Sequence, residues 1–292
     1  MTARPAEKVT PELLQRWPLP RGGESKRDRG SVLVVGGSRK SPGAALLAGR
    51  AALRSGAGRL TLAVAESVAS GSAAIFPEAG VIGLPESRSG EVGADSAKSV
   101  ETELQSCDAL LIGPGLHSAD EADRLLKELL PRVPESAMVV LDAYALGVLP
   151  KLSSLAAELS GRLVLTPNKR EALRLLEKSD SDDPTDGDID AVAERYGAVV
   201  SCFDRISEDH GSAWAVSEGG FGLGTSGSGD VLAGSIAGLL ARGLEPAAAA
   251  CWGTWAHSRA GDRLTARIGD TGFLATEIAD ELPHAFGDAS AA

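Results

Sequence analysis

The sequence predicts a three-layer α/β fold, in which helices cover both faces of a mostly parallel central sheet. Along the chain of 292 residues, short apolar strand patterns alternate with helical patterns, which is typical of such a sheet. Glycine is frequent, at 35 residues, as expected for many tight turns between strands and helices. Hydrophobic residues make up 43% of the chain and aromatic residues only 4%, which predicts a sizeable, aliphatic core.

The predicted strands are short runs of apolar residues, many of them β-branched, as in strands that are buried on both faces. In chain order they are residues 31–35, 59–64, 108–112, 138–141, 163–166 and 198–202, and residues 213–216 are expected to pair with a neighbour in a hairpin. Because strands and helices alternate, we expect the crossover connections between parallel strands to be right-handed.

The predicted helices follow capping signals or amphipathic patterns. A short helix opens at Thr10, and the others cover residues 43–53, 118–130, 171–177, 231–240, 246–261 and 271–282. The helix at 43–53 is rich in Ala and Gly, so another helix could pack closely against it. On that ground we expect a homo-oligomer.

No internal repeat or linker divides the chain convincingly. We therefore expect a polar N-terminal extension over residues 1–28, one domain over residues 29–286 and a disordered tail over residues 287–292. Residues 177–190 (EKSDSDDPTDGDID) are expected to form a solvated surface loop, because their Asp spacing matches no calcium loop.

The charge of the chain excludes some partners. A formal net charge of −11 argues against binding to nucleic acid or to an anionic membrane surface. No run resembles a signal peptide or approaches the roughly 20 apolar residues of a membrane helix, so a cytoplasmic protein is expected. The three cysteines are far apart without a CxxC pair, which favours buried, reduced thiols.

Residues 222–240 (GLGTSGSGDVLAGSIAGLL) are the segment around which the chain is organised. A Gly/Ser loop runs directly into a helix that is apolar on every side, so the helix begins inside the protein. Such a helix start offers free N–H groups and partial positive charge, and Gly227 and Gly229 allow close approach of an anion. Asp230 could cap this helix or accept a proton from a substrate hydroxyl, and both interpretations stay open.

Other polar or glycine-rich segments follow the predicted strands, and strand ends of an open α/β sheet form the ligand site. They are residues 36–38, residues 113–115, Asp142 and Asn168. Asp142 either caps a turn or orients the substrate or a metal-bound water, and Asn168 either stabilises a turn or contacts the ligand. Residues 36–38 lack the GxGxxG spacing of a dinucleotide-binding fold, and no P-loop occurs in the sequence.

The histidines of the sequence do not indicate a site for nucleophilic catalysis. No Ser/His/Asp arrangement is evident, and Ser228 has no His in a suggestive context. His257 falls in a helical segment with Trp252 and Trp255, so we expect a core histidine with its hydrogen bonds satisfied. His117 is expected to be exposed or structural.

Taken together, four segments resemble the ADP-dependent NAD(P)H-hydrate dehydratase family, which has the ribokinase-like fold. They are SVLVVGGS with the following PGAALLAGRAALRSGAGRLTLAV, then DALLIGPGL, GSGDVLAGSIAGLLARG and AHSRAGDRLTARIGDTGFLATEIADELP. Their order and spacing make the resemblance specific, and it runs from about residue 29 to residue 286.

The resemblance implies repair of hydrated NADH and NADPH, with ADP or ATP as the phosphoryl donor and with Mg²⁺. The nucleotide phosphorylates the hydroxyl of the damaged ring, phosphate then leaves, and the dinucleotide is restored. The implied catalytic residue is Asp230. Nucleotide-binding residues implied by the resemblance are Gly227, Ser228 and Gly229, and substrate-binding residues are Ala44, Gly115, Asn168 and Asp230.

Departures from the family pattern fall at the ligand-facing strand ends. Ser228 stands where the family usually has Thr, Tyr144 where it has Asp and Asn168 where it has His. The Lys-Gly pair after the strand at 198–202 is absent, Phe203 stands there, and Arg205 could reach back to replace the charge. We therefore expect nucleotide binding weaker than the family norm, or a shifted nucleotide or substrate preference.

Three alternative functions are compatible with this sequence. The first is the dehydratase, and the second is a ribokinase-like small-molecule kinase that would release a stable phosphorylated product. A third is a catalytically weakened nucleotide-binding or sensing protein, which would bind nucleotide without turnover.

Overall fold

The computed structural model describes residues 3–20, 25–93, 95–179 and 182–291. Ten strands form one sheet in the order β1-β10-β9-β8-β7-β6-β5-β2-β3-β4. They are β1 (Glu7–Lys8), β2 (Ser31–Val35), β3 (Arg59–Ala65), β4 (Gly80–Leu84), β5 (Ala109–Ile112), β6 (Met138–Leu141), β7 (Leu163–Leu165), β8 (Val199–Cys202), β9 (Arg205–Ser207) and β10 (Ala213–Ala215). All neighbours pair in parallel except β8 with β9 and β9 with β10, which confirms the mostly parallel sheet.

Helices cover both faces of the sheet. They are α1 (Pro11–Leu14), α2 (Pro42–Arg54), α3 (Glu66–Ile75), α4 (Ser96–Ser99), α5 (Glu101–Leu104), α6 (Ala119–Leu129), α7 (Tyr144–Val148), α8 (Ser153–Ala157), α9 (Lys169–Leu175), α10 (Asp186–Tyr196), α11 (Ser228–Ala241), α12 (Pro246–Ile268) and α13 (Ala275–Ala291). No helix in the described ranges has the length and apolar character that crossing a membrane requires.

Two cores lie on opposite faces of the sheet because successive side chains of a strand point to opposite sides. In β2, Val32 and Val34 belong to the core beneath α2, α11, α12 and α13. Leu33 and Val35 belong to the core beneath the helices from α4 to α10. The strands are therefore apolar on both faces, which is why they appear in the sequence as continuous apolar runs.

The order of the strands places a crevice beside β2. From β2 the chain runs outward through β3 to β4, and then returns to β5 on the other side of β2. The loops after β2 and β5 consequently leave the sheet in different directions. Ligands of open α/β sheets bind at such a switch point, outside the carboxyl ends of the strands.

Small residues of α2 pack within the chain. A side chain at Gly234 or Gly238 of α11 would clash with the backbone of Ala48 or Ala52, so the two helices are in close contact. This contact uses the face on which the expectation of a homo-oligomer was based. The oligomer thus stays a prediction without that support.

The N-terminal extension is part of the fold. Strand β1 pairs with β10 at the edge of the sheet. Leu14 is fully buried in the core under α12 and α13, and Trp17 packs edge-on against Trp214 at 5.8 Å between ring centroids. The sequence predicts only a polar extension here, because the two buried residues of the four-residue helix α1 are too few to form a recognisable apolar run.

Two expectations about disorder differ from the structure. The predicted tail over 287–292 is helical as far as Ala291, since α13 continues with Ala289 fully buried. In the predicted acidic loop at 177–190, α10 begins at Asp186 behind a capping box between Thr185 and Asp188. Acidic residues in the first turn of a helix are favoured by the helix dipole, so this composition is compatible with a helix start. Residues 180, 181 and 292 lie outside the described residues.

Several described elements have no counterpart in the sequence prediction. They are the helices α3, α4, α5, α7, α8 and α10 and the strands β1, β4 and β9. Strand β4 reads GVIGL, and β9 is only three residues long, so neither has a strong strand pattern. The hairpin partner expected for residues 213–216 is β9.

Candidate active site

Two glycine turns meet at the switch point beside β2. The N–H of Gly37 donates to the carbonyl oxygen of Pro114 at 2.8 Å, and the N–H of Ser38 donates to that of Gly115 at 3.0 Å. Gly115 has a φ of +76°, and a Cβ there would clash with the backbone of Ser41 and lie 3.2 Å from the methyl group of Ala44. The structure therefore brings Ala44 and Gly115 together, as the resemblance implies.

Helix α11 begins at the same edge of the sheet. Gly227 is its N-cap with a φ of +88°, a conformation that favours glycine. A Cβ at Gly227 would press against Leu47, one turn along α2 from Ala44. Among the described residues, the N–H groups of Gly229 and Asp230 have no hydrogen-bond acceptor. The start of α11 thus presents free donors next to the crevice that holds Ala44 and Gly115.

Asp230 lies in the first turn of α11, three residues after the N-cap. It is not the capping residue, so the capping interpretation of this side chain is wrong. Burial raises the pKa of Asp230 to about 6. A carboxylate with such a pKa is ionised at neutral pH and is basic enough to accept a proton in a reaction.

A second carboxyl group lies close enough to Asp230 for the charge of Asp230 to affect its pKa. Asp142 follows β6, is 6% exposed, and accepts a hydrogen bond from Thr166 Oγ1 at 2.9 Å. Burial, with the charge of Asp230 as the next cause, raises the pKa of Asp142 to about 8. The neighbouring Ala143 has a φ of +50°, a strained conformation that fixes the turn after the strand. Asp142 is therefore held as a buried acid beside Asp230.

Asn168 caps a helix. Its side-chain oxygen accepts hydrogen bonds from the N–H groups of Arg170 and Glu171 at 2.9 Å, and Glu171 Oε2 accepts from the N–H of Asn168. This capping box starts α9. The amide nitrogen of Asn168 has no partner among the described residues and is exposed, so it is still able to contact a ligand.

Ser228 lies against His257, a contact that sequence reasoning missed. His257 Nε2 is 3.0 Å from both the hydroxyl and the carbonyl oxygen of Ser228, and both residues are buried. The expectation of a core histidine holds, but its partner is a residue of the anion loop. The separation of 29 positions between the two hides this pairing from any local pattern.

The expectation that Arg205 replaces the missing lysine charge is wrong. Arg205 is 5% exposed and makes a bidentate ion pair with Asp190, so it is held beneath the sheet edge. A different cation is placed there, because the ammonium group of Lys169 lies 5.5 Å from the centre of the exposed Phe203 ring. Lys169 comes from α9 rather than from the β8–β9 turn.

An aromatic pair borders the site near Ala44. His117 Nε2 lies 2.7 Å from Ser41 Oγ, and its ring packs edge-on against Tyr144 at 6.0 Å between ring centroids. Ser41 precedes α2 and makes no capping hydrogen bond with its side chain. The substitution of Tyr144 for the family's Asp thus produces an aromatic contact at the edge of the crevice.

No cluster of three metal-ligating side chains is found in the described part of the chain. Mg²⁺ in nucleotide sites is usually bound by one or two carboxylates together with phosphate oxygens and water. Asp142 and Asp230 are a donor set of that kind. The residues present therefore fit a magnesium ion that arrives with a nucleotide, rather than a metal site built by the protein alone.

Comparison with solved structures defines the class of fold. A ribokinase-like superfamily protein from Enterococcus faecalis is 26% identical and superposes with a TM-score of 0.82 over 97% of this chain and 96% of that one. An ADP/ATP-dependent NAD(P)H-hydrate dehydratase from Bacillus subtilis, co-crystallised with ATP and Mg²⁺, has a TM-score of 0.78 at 24% identity over 97% and 99% of the two chains. The fold is that of the ribokinase-like proteins.

The family follows from the sequence comparisons. The family model described as NAD(P)H-hydrate dehydratase matches residues 32–284. An ADP-dependent (S)-NAD(P)H-hydrate dehydratase from Xanthomonas campestris is 42% identical over 97% of each chain. This chain belongs to the NAD(P)H-hydrate dehydratase family. It also spans about half the length of several relatives that are named bifunctional NAD(P)H-hydrate repair enzymes.

Proposed function

We propose that this protein repairs hydrated NAD(P)H by ADP-dependent dehydration. The observation that carries the proposal is the position of Asp230, a partly buried carboxylate in the first turn of α11 beside free N–H groups. Family membership and the likeness to the Xanthomonas enzyme support the substrate and the nucleotide.

The reaction needs a base and an anion site next to each other. In the first step the ring hydroxyl oxygen attacks the terminal phosphorus of ADP, its proton passes to Asp230, and AMP leaves. The free N–H groups of Gly229 and Asp230, with the Ser228 hydroxyl, bind the phosphoryl oxygens. In the second step the carbon–oxygen bond to the phosphate breaks, a proton leaves the neighbouring carbon, and the ring double bond forms.

We propose the substrate position from the crevice beside β2. Ala44 and Gly115 present small surfaces, so a flat ring can approach the backbone closely. Asn168 lies at the end of β7, where its free amide nitrogen is available as a donor. Asp142, held by Thr166, adds a carboxyl group on the Asp230 side.

We propose Mg²⁺ as the partner of the nucleotide phosphates. Asp142 and Asp230 would hold it, and its charge would offset that of the phosphates. The B. subtilis protein co-crystallised with ATP and Mg²⁺ supports this assignment. ATP as an alternative donor rests on the same likeness.

The test of the function is recovery of NADH. Purified protein is incubated with hydrated NADH and either ADP or ATP, and the return of NADH absorbance and the formation of AMP or ADP are followed. We expect NADH to return only with nucleotide. A stable phosphorylated dinucleotide would identify a kinase, and nucleotide binding without any product would identify a protein that has lost turnover.

We also infer a cytoplasmic location. A homo-oligomeric state stays a second inference, without support from α2, whose small residues pack within the chain. The location agrees with the finding that no described helix is suited to crossing a membrane and with the cofactor that the proposed reaction repairs. Light scattering of the purified protein measures the oligomeric state, and a monomer mass at high concentration would contradict the second inference.

A further inference from the structure

The contact between His257 and Ser228 shows which ring nitrogen of His257 carries a hydrogen. The carbonyl oxygen of Ser228 can only accept a hydrogen bond, and His257 Nε2 lies 3.0 Å from it. Nε2 must therefore carry the hydrogen, because an unprotonated Nε2 would place two lone pairs against each other. Burial lowers the pKa of His257 to about 4, so the ring is neutral at neutral pH. The Nε2–H group is then the single N–H of the ring.

The same N–H faces the hydroxyl of Ser228. Ser228 Oγ also lies 3.0 Å from Nε2, so it accepts from the shared N–H rather than donating to the ring. Among the described residues, no other atom accepts the hydroxyl proton of Ser228. Meanwhile the backbone N–H of Ser228 donates to Thr225 at 3.2 Å. The hydroxyl is thus the one donor of Ser228 that is left for a ligand.

We propose that His257 is a positioning residue, which orients the Ser228 hydroxyl so that its proton is free to bind an anion at the start of α11. This inference rests on the proposed function for the identity of the anion, a phosphate group of ADP. His257 itself does not touch the ligand. It joins α12 to the first residue of α11 and thereby determines how three donors, from Ser228, Gly229 and Asp230, are presented together.

The test is a double-mutant cycle on ADP binding and turnover. His257→Leu removes the donor, His257→Gln retains an N–H at a similar reach, and Ser228→Ala removes the hydroxyl. We expect His257→Leu to raise the dissociation constant of ADP, measured by calorimetry, roughly tenfold, the scale of one hydrogen bond to a charged group. His257→Gln should restore most of the affinity. In the Ser228→Ala background, His257→Leu should add less than a twofold loss, because the group it orients is already gone.

Two comparisons separate positioning from a purely structural role. Thr254→Val is the matched control, since Thr254 lies one turn away on α12 and its hydroxyl contacts Ser201, not Ser228. It should lower the melting temperature without changing the ADP dissociation constant. If His257→Leu does not fold, His257→Asn takes its place in the cycle, because its shorter amide does not reach Ser228.

The outcomes distinguish this inference from the function on which it rests. Two results would overturn the positioning role. One is that the losses of ADP affinity caused by His257→Leu and Ser228→Ala multiply independently in the double variant. The other is that His257→Gln binds ADP as weakly as His257→Leu. If the wild type binds ADP but returns no NADH, the proposed function fails, while the cycle in ADP affinity still decides the role of His257. A wild type that does not bind ADP overturns both.

Discussion

At the scale of single residues, the site is built from buried carboxyl groups with raised pKa values. Burial is the main cause of the raised pKa at both positions, and at Asp142 the charge of Asp230 adds to the effect. Such an arrangement costs stability and is typical of functional sites. Asp142 has the higher pKa because it is more deeply buried and also faces the charge of Asp230.

Asp230→Asn should abolish most of the activity without unfolding the protein. The substitution keeps the size of the side chain but removes its basicity, so we expect kcat to fall by roughly 10²–10⁴. In the wild type, kcat/KM should fall as the pH drops below about 6, because Asp230 must be ionised to accept a proton. Unchanged turnover in the variant, measured by NADH recovery, would contradict the assignment.

Asp142→Asn should stabilise the protein at high pH. The folded-state pKa of about 8 lies above the ordinary aspartate pKa of 3.8, so the folded protein holds a proton that the unfolded chain has released. Stability from this group is therefore lost as the pH rises from about 4 to about 8, and asparagine avoids the loss. We expect equal melting temperatures near pH 4 and a higher one for the variant near pH 8. A variant that is less stable at both pH values would show that the wild-type carboxylate is stabilised, contrary to this account.

Lys169→Met should weaken ADP binding if its ammonium, held over Phe203, provides the charge that the absent lysine would have provided. Loss of one charge-assisted hydrogen bond predicts roughly a tenfold or greater rise in the ADP dissociation constant. Arg16→Met, at an exposed position far along the chain, is the control for the loss of a positive charge. Equal affinities of wild type and Lys169→Met, measured by calorimetry, would exclude this role.

At the scale of elements, helix starts carry most of the candidate site. The first turn of α11 contributes Ser228, Gly229 and Asp230, whereas the start of α9 is closed by its own capping box around Asn168. The difference has a local cause, because Gly227 has no side chain with which to cap α11. One helix start thus keeps its donors free for a ligand, and the other uses them internally.

Substitutions of Asn168 should separate its capping role from ligand contact. Asn168→Asp keeps the capping oxygen and removes the amide donor, whereas Asn168→Ala removes both. We expect Asn168→Ala to lower the free energy of unfolding by about 1 kcal/mol and Asn168→Asp to leave it nearly unchanged. If the amide contacts the substrate, both variants should raise KM for hydrated NADH. Wild-type KM values in both would show that Asn168 is a capping residue only.

At the scale of the whole molecule, the chain termini complete one core. The N-terminal segment adds β1 to the sheet, and Trp17 accepts a hydrogen bond from Trp252 Nε1 at 2.8 Å through its carbonyl oxygen. Helix α13 packs against α2 and α12 up to Ala289. The ends of the chain therefore stabilise the helices that carry the site, although they lie away from it.

Leu14→Ala tests this integration. Leu14 is fully buried, so the truncation should lower the free energy of unfolding by about 2–5 kcal/mol, the range for core leucines. Glu12→Ala, at an exposed position of the same helix, is the control and should change it much less. Denaturant unfolding measures both. If the two variants are equally stable, the N-terminal segment is not part of the cooperative core.

The sequence alone determined the fold class and indicated the main parts of the candidate site. Buried parallel strands are apolar on both faces, so they are visible as short continuous runs, as in Ser31–Val35. The Gly/Ser loop before α11 is visible because a free helix start inside a protein needs small residues in consecutive positions. Asp230 was found for the same reason, since it stands within that local pattern.

Only the tertiary structure decided which distant groups meet. It paired His257 with Ser228, placed Asp142 against Asp230, and held Arg205 in an ion pair with Asp190. These contacts join positions that are at least 15 residues apart, and no periodicity of the sequence encodes them. It also placed the start of α10 at Asp186 within the acidic segment and continued α13 to Ala291, because packing against neighbouring elements outweighs the weak local preferences of such residues. Local patterns therefore specify the elements, while burial and long-range contacts specify the protonation states on which the chemistry depends.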